Sequence, residues 1–247
     1  MDLKEFFEKN PKAALGFSGG VDSAYLLYAA KKCGADIQPY YIKTSFQPEF
    51  EYNDAATLAE KIGVSIKVIE HDILSDSIIR KNPVNRCYYC KRTLFTLLKE
   101  QAKKDGYTLI IDGTNASDDV GDRPGMKALK ELSVRSPLRE CGLTKNKIRE
   151  LSKAAGLFTW NKPAYACLAT RIPHGTAIAE DCLSRVENSE NILMSMGFSD
   201  FRVRVFCDAA RLQVREEQFG KAADMREEIA KRLNPYFETI LLDMNVR

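Results

Sequence analysis

The stretch AALGFSGGVDS, residues 13–23, passes from a short apolar run through a glycine pair into an Ala-rich helical pattern. The run 13–17 predicts a buried strand, and the pattern over 24–33 predicts a helix. Two glycines between them let the backbone turn tightly and approach a ligand closely. The sequence therefore predicts a strand–turn–helix unit whose turn binds a ligand.

The turn SGGVDS has the properties of a phosphate-binding loop. The first amides of the following helix have no partner within that helix, and the helix dipole favours anions there. Asp22 would repel phosphate directly but suits a Mg²⁺ ion that bridges phosphates. The GK[ST] ending of a Walker A motif is missing. We predict a different nucleotide site, formed by Ser18, Gly19, Gly20, Val21, Asp22 and Ser23, with Asp22 and Ser23 also counted as catalytic.

Strands and helices alternate over the first two thirds of the chain. Further strands are predicted over 37–42, 64–70 and 108–112, with helices over 54–62 and 88–104 between them. Strands separated by helices indicate parallel βαβ units with right-handed crossovers. The predicted fold class is α/β, with a doubly wound parallel sheet.

The last third of the chain has a different pattern and predicts a smaller C-terminal α+β domain. It is predicted as helix 179–196, strands 201–206 and 211–214, helix 218–233 and strand 237–242. We place the boundary near Pro173, which gives domains 1–172 and 173–247.

Composition excludes several classes of protein. Of the 247 residues 45% are hydrophobic, which is enough for a substantial core. The formal net charge is only +3, so no nucleic-acid partner is expected. No apolar run is long enough to cross a bilayer, and residues 1–20 lack the apolar core of a secretory signal. We therefore expect no membrane partner and a cytoplasmic location.

The seven cysteines are not expected to form a disulfide framework in a reducing cytosol. Cys87 and Cys90 form a C-x-x-C, which alone is compatible with a redox dithiol, half of a zinc site or part of an iron–sulfur site. Cys167 is the best third thiol, because Lys162 and Arg171 nearby in sequence favour a thiolate. Three thiolates suit a [4Fe–4S] cluster with an open iron that carries sulfide. The alternative is that Cys167 gives up its own sulfur atom.

The string SGGVDS matches the PP-loop of the ATP pyrophosphatase superfamily. Its members cleave ATP between the α and β phosphates, adenylate a carbonyl or carboxylate, and let a nucleophile displace AMP. DGTNASD at 112–118 follows a predicted strand, where ligands bind in open α/β sheets, and resembles a second superfamily segment. The resemblance implies ATP contacts from Gly113, Thr114, Asn115, Asp118 and Arg123, with Asp22 and Asp118 on Mg²⁺.

Longer segments resemble the LarE family, ATP-dependent sulfur transferases that help make the nickel-pincer cofactor of lactate racemase. They are NRCYYCK (85–91), DGTNASDDVGDRPGMKAL (112–129), VRSPL (134–138) and KPAYACLATRIPHG (162–175). The resemblance implies that a carboxylate of pyridinium-3,5-biscarboxylate mononucleotide is adenylated and attacked by sulfur, which releases AMP and a thiocarboxylate. It also implies a sulfide or sulfur donor as partner and a homo-oligomer.

The family offers two sulfur routes. In one branch the cysteine that matches Cys167 is sacrificed and becomes dehydroalanine. Members with the additional C-x-x-C are thought to hold a [4Fe–4S] cluster. For this chain the resemblance favours the cluster, on Cys87, Cys90 and Cys167.

A mononucleotide substrate carries its own phosphate, and arginine is suited to bidentate phosphate contact. Arg202 and Arg204 alternate with valines on a predicted strand and therefore share one face. With Arg171 and Arg211 they are the predicted substrate-phosphate ligands. Other interpretations stay open: a PP-loop tRNA thiolase, an amide-forming PP-loop enzyme, or a non-catalytic nucleotide-binding sensor.

Overall fold

The computed structural model describes residues 1–118 and 124–247. The helices of this part of the chain are α1 (Leu3–Lys9), α2 (Val21–Lys32), α3 (Glu49–Ile62), α4 (Ser77–Arg80), α5 (Arg86–Lys104), α6 (Pro124–Glu131), α7 (Pro137–Glu140), α8 (Lys145–Ala154), α9 (Glu180–Ser195), α10 (Glu216–Asp224) and α11 (Arg226–Leu233). The strands are β1 (Lys12–Gly16), β2 (Asp36–Lys43), β3 (Lys67–Glu70), β4 (Ile110–Ile111), β5 (Arg202–Phe206), β6 (Ala209–Gln213) and β7 (Ile240–Leu242). Within these two ranges no helix is long and apolar enough to cross a membrane.

The chain divides into two compact units, and each contains more than one segment. The first unit comprises Met1–Thr44, Glu49–Asp72 and Asn85–Lys162. The second comprises Ser45–Pro48, Ile73–Val84 and Pro163–Arg247.

The first unit is built on a parallel sheet with strand order β3-β2-β1-β4. Ala13 and Leu15 of β1 face one core, which is shared with α1, α2, α3 and α8. Ala14 faces the opposite way, into a second core that contains Leu98 and Ala102 of α5. Because successive residues of a strand point to opposite faces, this alternation buries both sides of the sheet under helices. The predicted doubly wound α/β class is confirmed.

Two strands of this sheet are shorter than predicted. β3 spans Lys67–Glu70, because the Val64 amide donates to the carbonyl of Ala59 and so completes the end of α3. β4 has only Ile110 and Ile111. After it, the backbone amide of Asp112 donates a hydrogen bond to the carbonyl of Arg135. An apolar run that continues into a helix end or a loop is therefore longer than the strand it contains.

The second unit contains the three-stranded sheet β5-β6-β7. β5 and β6 are antiparallel, with Arg204 opposite Arg211, and β7 pairs with β6 in parallel. The helix predicted over 218–233 is wrong as one element, since α10 and α11 are separated at Met225. Neither glycine nor proline stands at that break, so the sequence carries no signal for it.

The second unit also includes segments whose place in it no local sequence pattern predicts. Residues 163–172, which the sequence boundary assigned to the first domain, belong to it. The Leu168 amide donates to the carbonyl of Phe46, and the Gly175 amide donates to that of Asn82. The domain boundary near Pro173 itself stays a prediction.

Candidate active site

The predicted phosphate loop leaves β1 after Gly16 and enters α2 at Val21. Gly19 has a φ of +70°, and a Cβ there would stand 2.7 Å from the Cβ of Ala55, so a larger residue is excluded. Gly20 is the N-cap of α2 and supplies no side-chain cap. The first amides of α2 therefore keep their capacity to bind an anion.

Two serine hydroxyls hold the shape of this loop. Ser23 is buried, and its Oγ donates to the carbonyl of Gly20 at 3.3 Å and lies 3.2 Å from the Oγ of Ser18. The Ser18 amide also donates to Ser23 Oγ, at 3.3 Å. Both predicted serines thus meet within the loop, and the catalytic role of Ser23 stays a prediction.

Asp22 has one paired and one unpaired carboxylate oxygen. Oδ2 accepts a hydrogen bond from Lys145 Nζ at 2.5 Å, whereas Oδ1 is buried without a hydrogen-bond partner among the described residues. Burial is the main cause that raises the pKa of Asp22, and the charge of Asp118 raises it too, while Lys145 lowers it. A buried, unpaired carboxylate oxygen beside a second carboxylate fits a Mg²⁺ ion that also binds nucleotide phosphates.

The segment 112–118 lies against the first turn of α2. A Cβ at Gly113 would stand 2.9 Å from the backbone nitrogen of Ser23, so glycine permits this close approach. Asp112 is buried and fixes the segment, because it accepts hydrogen bonds from Thr114 Oγ1 at 2.5 Å and from Ser136 Oγ at 2.6 Å. The two segments predicted to bind ATP are therefore neighbours.

The remaining predicted ATP residues of this segment are engaged in its own turn. Asn115 is buried, and its Oδ1 accepts from the amide of Ser117 at 2.8 Å. The backbone amide of Asn115 donates to Oδ2 of Asp118 at 2.9 Å. Arg123 lies outside the described residues. The ATP contacts of all these side chains stay predictions.

Lys145, the first residue of α8, is a site residue that sequence reasoning missed. Its amide donates to Ser117 Oγ at 2.9 Å, and its Nζ donates to Asp22. One residue thus joins both nucleotide segments. Thr144 is the N-cap of α8, but nothing in the sequence shows where the lysine after the cap points.

The predicted metal site draws its cysteines from both compact units. Cys87 and Cys90 are in the first unit, and Cys167 is in the second. Among residues 1–118 and 124–247, no group of three or more His, Cys, Asp and Glu side chains is suited to hold a metal ion. The described residues therefore give no support for the [4Fe–4S] cluster, which stays a prediction.

The segment around Cys167 is held by a buried ion pair. Arg171 is fully buried and binds Glu190 through two hydrogen bonds of 2.9 and 3.0 Å. Its Nη1 donates to the carbonyls of Ala166 and Cys167 and to the hydroxyl of Thr170. Because the whole guanidinium group is used inside the protein, this geometry argues for a structural role of Arg171 rather than phosphate binding.

Three other predicted arginines, Arg202, Arg204 and Arg211, lie on one face of β5 and β6, where Arg202 donates to the carbonyl of Ala164 and Arg204 to that of Thr170. Burial and then the charge of Arg171 lower the pKa of Arg202 to about 10. Burial, Arg171 and Arg211 likewise lower the pKa of Arg204. Asp243 balances Arg211, with 3.4 Å between the charged atoms. Neighbouring arginines whose charges lower the pKa values of Arg202 and Arg204 create a positive potential, which a bound anion would relieve.

Comparisons with known proteins identify the family of this chain, although no protein-family model matches it. A pyridinium-3,5-bisthiocarboxylic acid mononucleotide synthase from Lactiplantibacillus plantarum is 31% identical over 236 residues, 94% of this chain and 86% of that protein. An uncharacterized protein from Synechocystis is 35% identical over 88% of this chain and 81% of its own length.

More distant relatives identify the superfamily. A tRNA-specific 2-thiouridylase from Pseudothermotoga lettingae is 30% identical over 190 residues, which are 61% of this chain and 54% of that enzyme. The extent of the match to the mononucleotide synthase is the stronger finding, because it covers both compact units. The chain belongs to the LarE family of the PP-loop ATP pyrophosphatase superfamily.

Proposed function

We propose that the chain is an ATP-dependent sulfurtransferase that adenylates a carboxylate of pyridinium-3,5-biscarboxylate mononucleotide and converts it to a thiocarboxylate, in the cytoplasm. The observation that carries the proposal is the unpaired Oδ1 of Asp22 beside the uncapped N-terminus of α2. This arrangement offers a cation ligand and phosphate-binding amides at one point, as a bound Mg–ATP requires.

The chain's own residues would bind and orient the triphosphate. The first amides of α2 would bind phosphate oxygens, and Gly19 and Gly113 would allow the backbone to approach them closely. Asp22 and Asp118 would hold Mg²⁺, which neutralises phosphate charge when bound. Lys145 would keep Asp22 ionised and oriented. Fixed donors and charges of this kind favour displacement of pyrophosphate, because they need no reorganisation during the reaction.

The substrate's phosphate would bind the second unit through Arg202, Arg204 and Arg211. Burial and the charges of neighbouring arginines lower the pKa values of Arg202 and Arg204, and this supports an anion there. Sulfur would reach the acyl adenylate from a cysteine of this chain, and Cys167 stays the predicted donor of the sacrificial route.

The test is a reaction of purified protein with Mg–ATP and the biscarboxylate mononucleotide, with and without a sulfur donor. We expect substrate-dependent release of pyrophosphate and AMP, together with a product in which one carboxylate oxygen is replaced by sulfur, detected by mass spectrometry. Pyrophosphate release that needs tRNA instead of the mononucleotide would contradict the proposal. Binding of ATP without turnover would indicate a nucleotide sensor.

A further inference from the structure

A cleft of about 280 Å³ lies in the first unit, at the place where three helices end. The last turns of α2 and α3 line it from one side, and residues 155–158, which follow α8, line it from the other. Leu58 and Leu157 are buried beneath it, and Tyr28 and Phe158 add aromatic rings. The proposed function makes no use of this cleft.

The side chains that line the cleft carry positive charge. The lining residues that the structure describes are Lys31, Lys32 and Lys61, together with apolar residues, aromatic residues and a glycine. A neighbouring cleft of about 220 Å³ shares Lys31 but also contains the carboxylate of Asp36. The first cleft therefore attracts an anion more strongly than its neighbour does.

Lysines at the end of a helix often stabilise its last carbonyl groups, but glycine caps serve these three helices. After α2, the Ala35 amide donates to the carbonyl of Ala30, and the turn passes through a glycine in the left-handed region. The glycines that follow the three helices have φ values of +75°, +75° and +68° at Gly34, Gly63 and Gly156. Each helix end contributes about −0.5 elementary charge, so about half of the charge of the three lysines stays unbalanced.

Two of these lysines lie over the aromatic rings of the cleft. Lys61 Nζ is 4.9 Å from the ring centre of Phe158, and Lys32 Nζ is 5.7 Å from that of Tyr28. Ammonium groups thus stand directly beside apolar surface. Exposed cation–π contacts are weak, so either ammonium group can turn toward a bound anion at little cost.

The size of the cleft favours a small molecule over a protein partner. Its volume lies near the lower end of the range for small-molecule sites, about 300–1,000 Å³. A stable protein interface covers about 800 Å² on each partner. Among the large apolar side chains described in this lining, Leu58 and Leu157 are buried, Ile62 is half-buried, and Phe158 is 39% exposed. This apolar surface fits one ring or a short aliphatic chain.

The cleft is separate from the nucleotide site. α2 begins at the phosphate loop and reaches the cleft with its last residues, and its 12 residues span about 18 Å. α8 begins with Lys145, which contacts Asp22, and the cleft lies beyond its other end. A ligand in the cleft would therefore not compete with ATP for space.

We propose that this cleft binds a small organic anion, with an apolar body against Tyr28 and Phe158 and a phosphate or carboxylate group facing the lysines. The site is additional to those proposed for ATP and for the mononucleotide. An ammonium group is a point charge without the fork geometry of arginine. The site therefore selects the combination of negative charge and apolar body rather than the shape of the anionic group.

The test is NMR spectroscopy of the ¹⁵N-labelled protein with phenyl phosphate as the probe. Mg²⁺ and the α,β-methylene analogue of ATP are present, so that the nucleotide site is filled without turnover. We expect saturable shifts of the amide signals of Lys31, Lys61 and Phe158. Inorganic phosphate alone and phenol alone should each bind this cleft about tenfold or more weakly, because each lacks half of the contacts.

Variants test the two halves of the site. Lys31→Gln combined with Lys61→Gln removes two charges at exposed positions and should weaken phenyl phosphate binding about fivefold or more. Phe158→Ala should weaken it by a similar factor, since it removes part of the apolar wall. Lys130→Gln is the matched control, because Lys130 is an exposed lysine in the last turn of α6, and it should leave the affinity unchanged. Circular dichroism checks that each variant is folded.

Three outcomes would overturn the proposal. One is a set of shifts confined to the phosphate loop or to β5 and β6, without shifts at Lys31, Lys61 and Phe158. Another is binding of inorganic phosphate as tight as that of phenyl phosphate, or equal weakening by Lys130→Gln, which would show a general cationic surface. The third is loss of probe binding as the protein concentration rises, which would assign the cleft to an interface between copies of the chain. Pyrophosphate release tests the proposed function separately, so the failures of the two proposals are distinguishable.

Discussion

Lys145 donates a hydrogen bond from its Nζ to Oδ2 of Asp22 at 2.5 Å, although 123 positions separate the two residues in the chain. The contact joins the start of α8 to the phosphate loop. It leaves Oδ1 of Asp22 as a buried oxygen that accepts no hydrogen bond from residues 1–118 or 124–247.

Asp22→Asn should nearly abolish adenylation without unfolding the protein. The amide keeps the size of the side chain but loses the charge that would bind Mg²⁺. We expect pyrophosphate release to fall about 100-fold or more, with an unchanged circular dichroism spectrum. A rate near that of the unchanged protein would remove Asp22 from the site.

Lys145→Met should weaken turnover more than any other lysine change on α8. The substitution leaves Asp22 buried without its cation, and this raises the cost of keeping it ionised. We expect pyrophosphate release to drop about tenfold or more. Lys147→Met is the control, because Lys147 is exposed and forms a surface ion pair with Glu150, with 3.2 Å between the charged atoms. Equal losses in both variants would show that general charge, not this contact, matters.

Gly113→Ala should impair ATP binding through a steric effect. The new methyl group would stand 2.9 Å from the backbone nitrogen of Ser23, so segment 112–118 or the first turn of α2 must shift. We expect the KM for ATP to rise about tenfold or more, since reacting groups tolerate little displacement. Gly220→Ala is the control, because it lies in α10 with nothing within 4 Å of the added atom. If both variants kept the original KM, the close approach of Gly113 would have no role.

Local sequence patterns predicted much of the first unit and the phosphate loop. The glycine pair, the strand before it and the helix after it depend on neighbouring residues, so periodicity and turn chemistry could identify them. Lys145 could not be found in this way, because its contact with Asp22 depends on how α8 packs beside α2. The structural role of Arg171 could not be predicted from local patterns either, because its partner Glu190 lies 19 residues away on α9.

Glu190→Gln should strongly destabilise the second unit. The change leaves the Arg171 charge in a fully buried position without its counter-charge. Breaking one side of a buried ion pair costs about 3–5 kcal/mol of unfolding free energy. Urea unfolding followed by circular dichroism measures the loss. Glu217→Gln breaks the exposed pair with Arg215 and should change stability by less than about 1 kcal/mol. Similar effects of both changes would contradict the structural role assigned to Arg171 and Glu190.

Asp105 should contribute to the acid sensitivity of the first unit. Hydrogen bonds from Lys67, at 2.8 Å, and from Tyr40, at 2.6 Å, lower the pKa of Asp105 from 3.8 to about 2. A carboxyl group whose pKa is lower in the folded state stabilises the fold above its ordinary pKa of 3.8, and this stabilisation is lost as the pH falls toward about 2.

Asp105→Asn should therefore lower the urea midpoint at neutral pH, and the difference from the unchanged protein should shrink as the pH falls below 3.8. Asp208→Asn, at an exposed position in the turn between β5 and β6, serves as the control and should show no such trend. A midpoint difference for Asp105→Asn that stays constant as the medium is acidified would show that this carboxyl group acts through packing rather than charge.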